Sequence, residues 1–214
     1  LANSGIKRRL TYSNAKGFSS FGGNEFIDNN PKLKNYNVHQ LEKNLNFARY
    51  LDLDTSIIDF TLPEINYNAK IKVDKFFNVF KENRPLIVLA PNSALVETSW
   101  HPKNWINLVN NINTSYNIVV LGKFEDKALA AIMSHPNLLN LCNQTDFNDL
   151  RYILNNSKVV ISNNLEVSTI AWAMKKIKVI TISTNLPPAK YNPYNLNNDV
   201  NYKTLSGNLA CQYC

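Results

Sequence analysis

From Arg84 onward the chain alternates between two hydrophobic rhythms. Leu86 to Ala90 is an unbroken apolar run closed by Pro91-Asn92, the pattern of a strand buried on both faces. Pro102 to Asn111 then spaces Trp105, Leu108 and Val109 along one helical face, with Pro102 suited to a first turn. Ile118 to Leu121 repeats the strand pattern and Gly122 closes it. Glu125 to Ser134 carries Leu129, Ile132 and Met133 at helical spacing, and His135-Pro136 stops it. Leu138 to Leu141 predicts another strand, after which Thr145 or Asp146 caps a helix to Asn155, with Asp149 placed to complete a capping box. Lys158 to Ser162 and Ile177 to Ile182 predict two further strands, separated by a helix from Glu166 to Lys175 that turns Val167, Ile170, Ala171 and Met174 inward. Strict alternation of apolar strands with helices specifies a parallel sheet covered on both sides, a doubly wound α/β fold.

The first 80 residues are less regular. Val38 to Leu51 is an amphipathic helix with Leu41, Leu45, Phe47, Ala48 and Leu51 on one side. Gly17 to Asn30, with Gly22-Gly23, reads as a loop, and Thr61 to Asp74 as a connecting segment with one strand at Ile71–Val73. A domain boundary between Lys81 and Pro85 divides the chain into residues 1–83 and 84–214.

At 44% apolar and 11% aromatic residues in 214, the composition is globular and excludes a disordered or low-complexity chain. No apolar run approaches the length of a membrane-spanning helix. The sequence opens on Leu1 without a secretory leader pattern, and the expectation is that it starts part-way through a protein. A net charge of +7 favours phosphate-bearing partners. The basic residues are scattered, however, with no aromatic-and-basic stripe, so nucleic acid is not the expected partner. The 35 asparagines are spread evenly and read as the coding bias of an AT-rich genome. Cys142, Cys211 and Cys214 are too few for a disulfide scaffold and fit a reducing, cytoplasmic compartment. The terminal Cys211-x-x-Cys214 has no second ligand pair, so no metal site is expected.

In a doubly wound sheet, ligands bind beyond the carboxyl ends of the strands. That rule selects four loops here, Asn92–Trp100, Gly122–Asp126, Asn143–Asp146 and Asn163–Glu166, expected to converge on one edge. They and the residues just beyond hold Ser93, Thr98, Ser99, Glu125, Asp126, Asn163, Asn164, Glu166 and Thr169, hydroxyls, amides and acids able to hold a ribose or phosphate. The G-x-G-x-x-G and P-loop fingerprints are absent. His39, His101 and His135 lie far apart and read as surface or turn residues. Glu125-Asp126 is either an acid pair or a helix N-terminus following the macrodipole.

Arg84 to Ser93, Ser99 to Trp105, Val119 to Asp126, Asn140 to Thr145, Ser162 to Asn164 and Ile170 to Ala173, taken in order, resemble the motifs of glycosyltransferase family 9, the lipopolysaccharide heptosyltransferases. Arg84 to Ser93 and then Ser99-Trp100-His101-Pro102-Lys103-Asn104-Trp105 are similar to the family's strand and tryptophan-proline helix. Val119 to Gly122 with Glu125-Asp126, Asn140 to Thr145, Ser162-Asn163-Asn164 and Ile170 to Ala173 resemble its later motifs in sequence. Gly5 to Tyr12, His39 to Leu45 and the final C-x-x-C extend the likeness to both ends.

The resemblance implies a GT-B-like architecture: a C-terminal Rossmann-like domain that binds the nucleotide-sugar, plus part of an N-terminal, acceptor-side Rossmann-like domain lacking about its first hundred residues. It implies transfer, with inversion, of a heptose from an ADP-heptose-like donor to a lipid-linked glycan acceptor. The setting it implies is the cytoplasmic face of the inner membrane, with peripheral contact and no cofactor. By matched position the donor-binding residues are Ser93, Thr98, Trp100, Asp126, Asn164, Glu166 and Thr169, while no position is matched to a catalytic base. Thr98 stands where the family pattern has a lysine, and Asn164, Glu166 and Thr169 stand where it has an acid, a glycine and a histidine. A carboxylate in place of that glycine brings negative charge beside a diphosphate. A nucleotide-sugar-binding relic that transfers nothing is the alternative expectation.

Overall fold

The structure is a computed structural model that describes residues 7–12, 25–27, 38–91, 98–184, 187–194 and 199–207. Contacts divide the chain into two units, Leu1–Asp59 with Ala189–Tyr194, and Phe60–Pro188 with Asn195–Cys214.

In the first unit β1 (Leu10–Tyr12) pairs in parallel with β2 (Glu25–Ile27), and α1 spans Gln40–Tyr50. His39 caps α1 by accepting the Leu41 N–H on Nδ1 at 3.0 Å, which leaves Nε2 to donate to the Asn192 carbonyl at 2.6 Å. The Tyr194 ring meets the His39 edge at 5.1 Å and its hydroxyl donates to Glu42, so the returning segment is stapled to the start of α1. The apolar side foreseen for this helix is half-buried at Leu41, Leu45, Phe47 and Ala48, while Leu51 is 38% exposed.

The second unit holds the six-stranded sheet. In chain order its elements are α2 (Tyr67–Phe77), β3 (Leu86–Ala90), α3 (Pro102–Asn111), β4 (Asn117–Val120), α4 (Lys127–Ile132), β5 (Leu138–Asn140), α5 (Phe147–Asn155), β6 (Ser157–Ser162), α6 (Leu165–Ala173), β7 (Lys178–Ser183) and β8 (Tyr202–Ser206). All neighbours are parallel, in the order β5-β4-β3-β6-β7-β8. This is the doubly wound arrangement that the alternating rhythm predicts.

Because successive strand residues face opposite sides, β3 feeds two cores. Leu86, Val88 and Ala90 join Val73, Ile153, Leu154, Val167 and Ala171 beneath α2, α5 and α6, whereas Ile87 and Leu89 join Trp105, Val109 and Ala130 beneath α3 and α4. Each fully buried Val, Leu or Ile contributes about 1.5–3 kcal/mol. The predicted capping box is present, with Asp146 accepting the Asp149 N–H at 2.9 Å and Asp149 accepting the Asp146 N–H at 3.0 Å.

The structure differs from the sequence reading in five places, the first being β2 (Glu25–Ile27), which lies inside the Gly17 to Asn30 segment that reads as a loop. Residues 71–73 lie inside α2, where Ala69 and Val73 are buried, rather than in a strand; the alternation Ile71-Lys72-Val73 imitates a two-residue period for one cycle only. Since α2 packs on α5, the second unit begins at Phe60 and not near residue 84. Ile132 is 62% exposed instead of inward, because α4 ends there and Ala130 with Met133 fills the core. The edge strand β8 has no counterpart in the reading, since its run Tyr-Lys-Thr-Leu-Ser is half polar.

Candidate functional site

The strand order reverses between β3 and β6, so the loops leaving these two neighbours part to opposite faces and open a crevice. A cleft of about 250 Å³ lies at that place, floored by Ala90 and Leu121. Its walls are Gly122 and Lys123 after β4, Thr145, Asp146, Phe147 and Leu150 after β5, and Asn164, Glu166 and Val167 after β6. Three of the four loops picked out by the sequence therefore converge. The fourth falls largely at residues 92–97, and Ser93 with them lies outside the described residues.

The N-termini of α5 and α6 both open on this cleft, and both are capped. Asp146 accepts the N–H groups of Asn148 and Asp149 at 2.8 and 2.9 Å. Asn164 accepts those of Glu166 and Val167 at 2.9 and 3.1 Å. Two amides at each terminus are thus already engaged, which leaves less for an incoming anion than a bare helix start offers. Lys123 is the cation among the cleft-lining residues, which also include two exposed carboxylates, Asp146 and Glu166. A ligand with both anionic and hydroxyl groups matches that mixture better than a diphosphate alone.

The remaining predicted residues take other places. Asp126 is 7% exposed and its carboxylate accepts the Lys123 N–H at 2.7 Å. A Cβ on Gly122 would stand 2.7 Å from the Asp126 Cβ, so glycine is required for this turn to fold over the acid. Asp126 therefore shapes the wall from behind and does not line the cleft. It also adds its negative charge to burial in pushing the neighbouring Cys142 thiol up to about 12, burial being the larger cause. Thr169 is exposed on α6 outside the cleft lining.

Thr98 and Trp100 belong to a second focus. Thr98 is buried, its carbonyl accepting from the side chains of Asn163 and Thr184. Trp100 packs edge-on against Trp105 at 5.0 Å and lines a larger apolar pocket of about 450 Å³ with Leu108, Ile161, Ile180, Ile182 and Leu205. Asn163, which the sequence offers only as one polar loop residue among several, joins this focus to the cleft. The signal for it was weak, an amide one residue past the end of an apolar strand. Lys123 and Phe147 are cleft residues the sequence did not single out; the loop rule covers Lys123, whereas Phe147 lies just past the selected loop, in the first turn of α5.

The three histidines are turn residues, as expected: His101 caps α3 by accepting the Lys103 N–H at 3.2 Å, and His135 accepts the Asn137 N–H at 3.2 Å. Among the described residues no cluster of three or more His, Cys, Asp or Glu could hold a metal ion, and no helix is long and apolar enough to cross a membrane.

Comparison with known proteins places these features in context. The sequence profile of glycosyltransferase family 9 (heptosyltransferase) matches residues 6–213. Among solved structures, a family 9 glycosyl transferase from Veillonella parvula superimposes with a TM-score of 0.64 at 15% identity, over 79% of this chain and 49% of that one. An ADP-heptose lipopolysaccharide heptosyltransferase II from E. coli gives 0.57 at 16% identity, over 76% and 49%. The E. coli heptosyltransferase WaaC with ADP gives 0.54 at 14% identity, over 88% and 55%. At such identities these likenesses concern the fold alone, and the chain spans about half the length of each protein. No curated protein sequence matches the chain.

Proposed function

Because the chain belongs to glycosyltransferase family 9, the heptosyltransferases, we propose that it is the donor-side half of an inverting glycosyltransferase that moves a heptose from an ADP-linked donor to a lipopolysaccharide-core-like, lipid-linked acceptor. The observation that carries the reading is the cleft at the switch point, with loops from three consecutive strands meeting at their carboxyl ends. In this reading Lys123 faces the donor phosphates, while Glu166 and Asp146 accept hydrogen bonds from ribose or sugar hydroxyls. Asn164 works through its cap, holding the first turn of α6 in place, and Asp126 through the Lys123 amide. Thr98 and Trp100 contribute as the anchored end of the loop after β3. Catalysis consists of stabilising the departing nucleoside diphosphate while a carboxylate takes the acceptor proton. The acceptor places the enzyme at the cytoplasmic face of the inner membrane in peripheral contact, and the net charge of +7 agrees with an anionic surface.

Glu166 favours a second reading, a nucleotide-sugar-binding relic, since it sets a carboxylate where the family pattern has glycine. Titration with ADP, UDP, GDP and their sugar conjugates, ADP-heptose included, followed by thermal unfolding, separates these. A ligand at 100 times its Kd adds about 2.7 kcal/mol. Selective stabilisation by ADP species, with heptose transfer by the full-length protein, is expected. Binding without transfer favours the relic, and no binding by a folded sample removes the donor-site reading. Glu166→Gly is the informative variant: tighter ADP binding marks repulsion of the diphosphate, and weaker ADP binding marks hydroxyl recognition.

A further inference from the structure

We infer that Asn163 is a positioning residue for the donor site, fixing Thr98, Trp100 and the end of β7 against the cleft floor through one buried side chain; the inference rests on reading the cleft as a donor site. Asn163 is 5% exposed and sits at the switch point, one residue beyond β6. Its own N–H donates to the Ala90 carbonyl at 2.9 Å, which carries the β3–β6 ladder one step past the strand. Its side-chain Oδ1 accepts the Trp100 N–H at 2.6 Å. Its Nδ2 donates to the carbonyls of Thr98 at 3.1 Å and Ile182 at 2.7 Å. One planar amide therefore ties the loop after β3 and the end of β7 to the end of β6.

The chemistry of the amide is specific to this task. Both Nδ2 hydrogens are used and the oxygen receives an N–H, so only a side chain with two donors and an acceptor on one short plane satisfies all three backbone groups. Aspartate keeps the acceptor for Trp100 but turns an anionic oxygen toward two carbonyls. Leucine keeps the volume and leaves two buried carbonyls and the part-buried Trp100 N–H without this partner. Thr98 and Trp100 have no side chain in the cleft, but Asn163 binds the carbonyl of Ala90 at the cleft floor and directly precedes Asn164 in its wall. Asn163 thus ties the cleft floor at Ala90 and the cleft wall at Asn164, its neighbour in sequence, to Thr98 and Trp100.

The experiment compares wild type with Asn163→Leu and Asn163→Asp in two independent readouts. The first is amide hydrogen exchange at Trp100 relative to Ile118, Val119 and Val120 in β4. Both variants are expected to speed exchange at Trp100 roughly tenfold relative to β4, Asn163→Leu the more. The second is affinity for ADP, expected to fall by roughly tenfold in Asn163→Asp at pH 8 and to recover in part toward pH 5, where protonation returns one donor. Should Asn163→Leu fail to fold, Asn163→Asp and its pH profile still decide. A wild-type chain that binds ADP together with a folded variant that binds equally, or with Trp100 exchange unchanged relative to β4, overturns the inference alone. A wild-type chain that binds no nucleotide overturns the donor-site reading and this inference with it.

Discussion

The carboxylate oxygen of Asp149 that takes the Asp146 N–H, at 3.0 Å, is also the one facing the ammonium of Lys72. A single oxygen thus completes the cap of α5 and holds α2 onto it. Asp149 is 1% exposed at its side chain and Lys72 45%. Lys72→Ala leaves that buried oxygen with its capping N–H but no cation. The expected loss is about 1–3 kcal/mol, below the figure for a fully buried pair because Lys72 is half in water. Urea unfolding checks it, and a loss under ~0.5 kcal/mol would place the pair with ordinary surface bridges.

Arg151, two residues on, is expected to behave in the opposite way. It is 2% exposed, its Nε has no hydrogen-bond partner, and a guanidinium N–H reaches the Glu64 carbonyl at 3.3 Å. The Phe147 ring lies 5.6 Å from the guanidinium, and among the described residues no carboxylate pairs with it. Burying a charge so thinly compensated costs more than it returns, so Arg151→Met should leave stability within about 1 kcal/mol of wild type or raise it. A loss above ~3 kcal/mol in the same urea titration would show that the cation is better compensated than these contacts allow.

The first unit carries an acid-sensitive contact. The Tyr194 hydroxyl, more than the Arg49 guanidinium, holds the Glu42 carboxyl below its usual 4.5. A depressed carboxyl stabilises the fold above its ordinary value, and that contribution is lost as pH falls through the lowered one. Tyr194→Phe should move the Glu42 titration back up toward 4.5, and NMR titration of the side-chain carboxyl reads it directly. No movement would assign the depression to Arg49 instead.

Cys142 should be chemically silent in the native state. With its thiol at about 12, the thiolate population at pH 8 is negligible, and alkylation by iodoacetamide should appear only on unfolding. The linkage has a definite sign. A raised thiol stabilises the fold below its ordinary 9.0, and that contribution is lost as pH rises from there toward 12. Peptide mapping after timed alkylation tests this, and rapid labelling of Cys142 at pH 8 in folded protein would contradict it.

How much of this was legible in the sequence depended on whether a residue's role is local. Strands β3 and β4 are buried on both faces, and burial of that kind writes an unbroken apolar run. The Asp146–Asp149 cap closes within one turn and was readable from spacing. Helix α2 was not, because its buried positions Ala69 and Val73 make sense only against α5, some 80 residues away. The candidate site divides in the same way. Asn164, Glu166 and the Gly122 loop follow from the rule that strand ends gather ligands. Asn163 looked like any polar loop residue, since its three partners come from Thr98, Trp100 and Ile182, distant in sequence.

Each of the chain's three histidines receives, on Nδ1, the N–H of the residue two positions later: Leu41, Lys103 and Asn137. The lone pair of every imidazole in the chain is therefore committed to its own turn, with the ring proton on the other nitrogen. Accepting from any other group at Nδ1 would break the turn, and Nε2 holds no free lone pair in this tautomer. No histidine of this chain therefore has an imidazole lone pair that is free of its own turn.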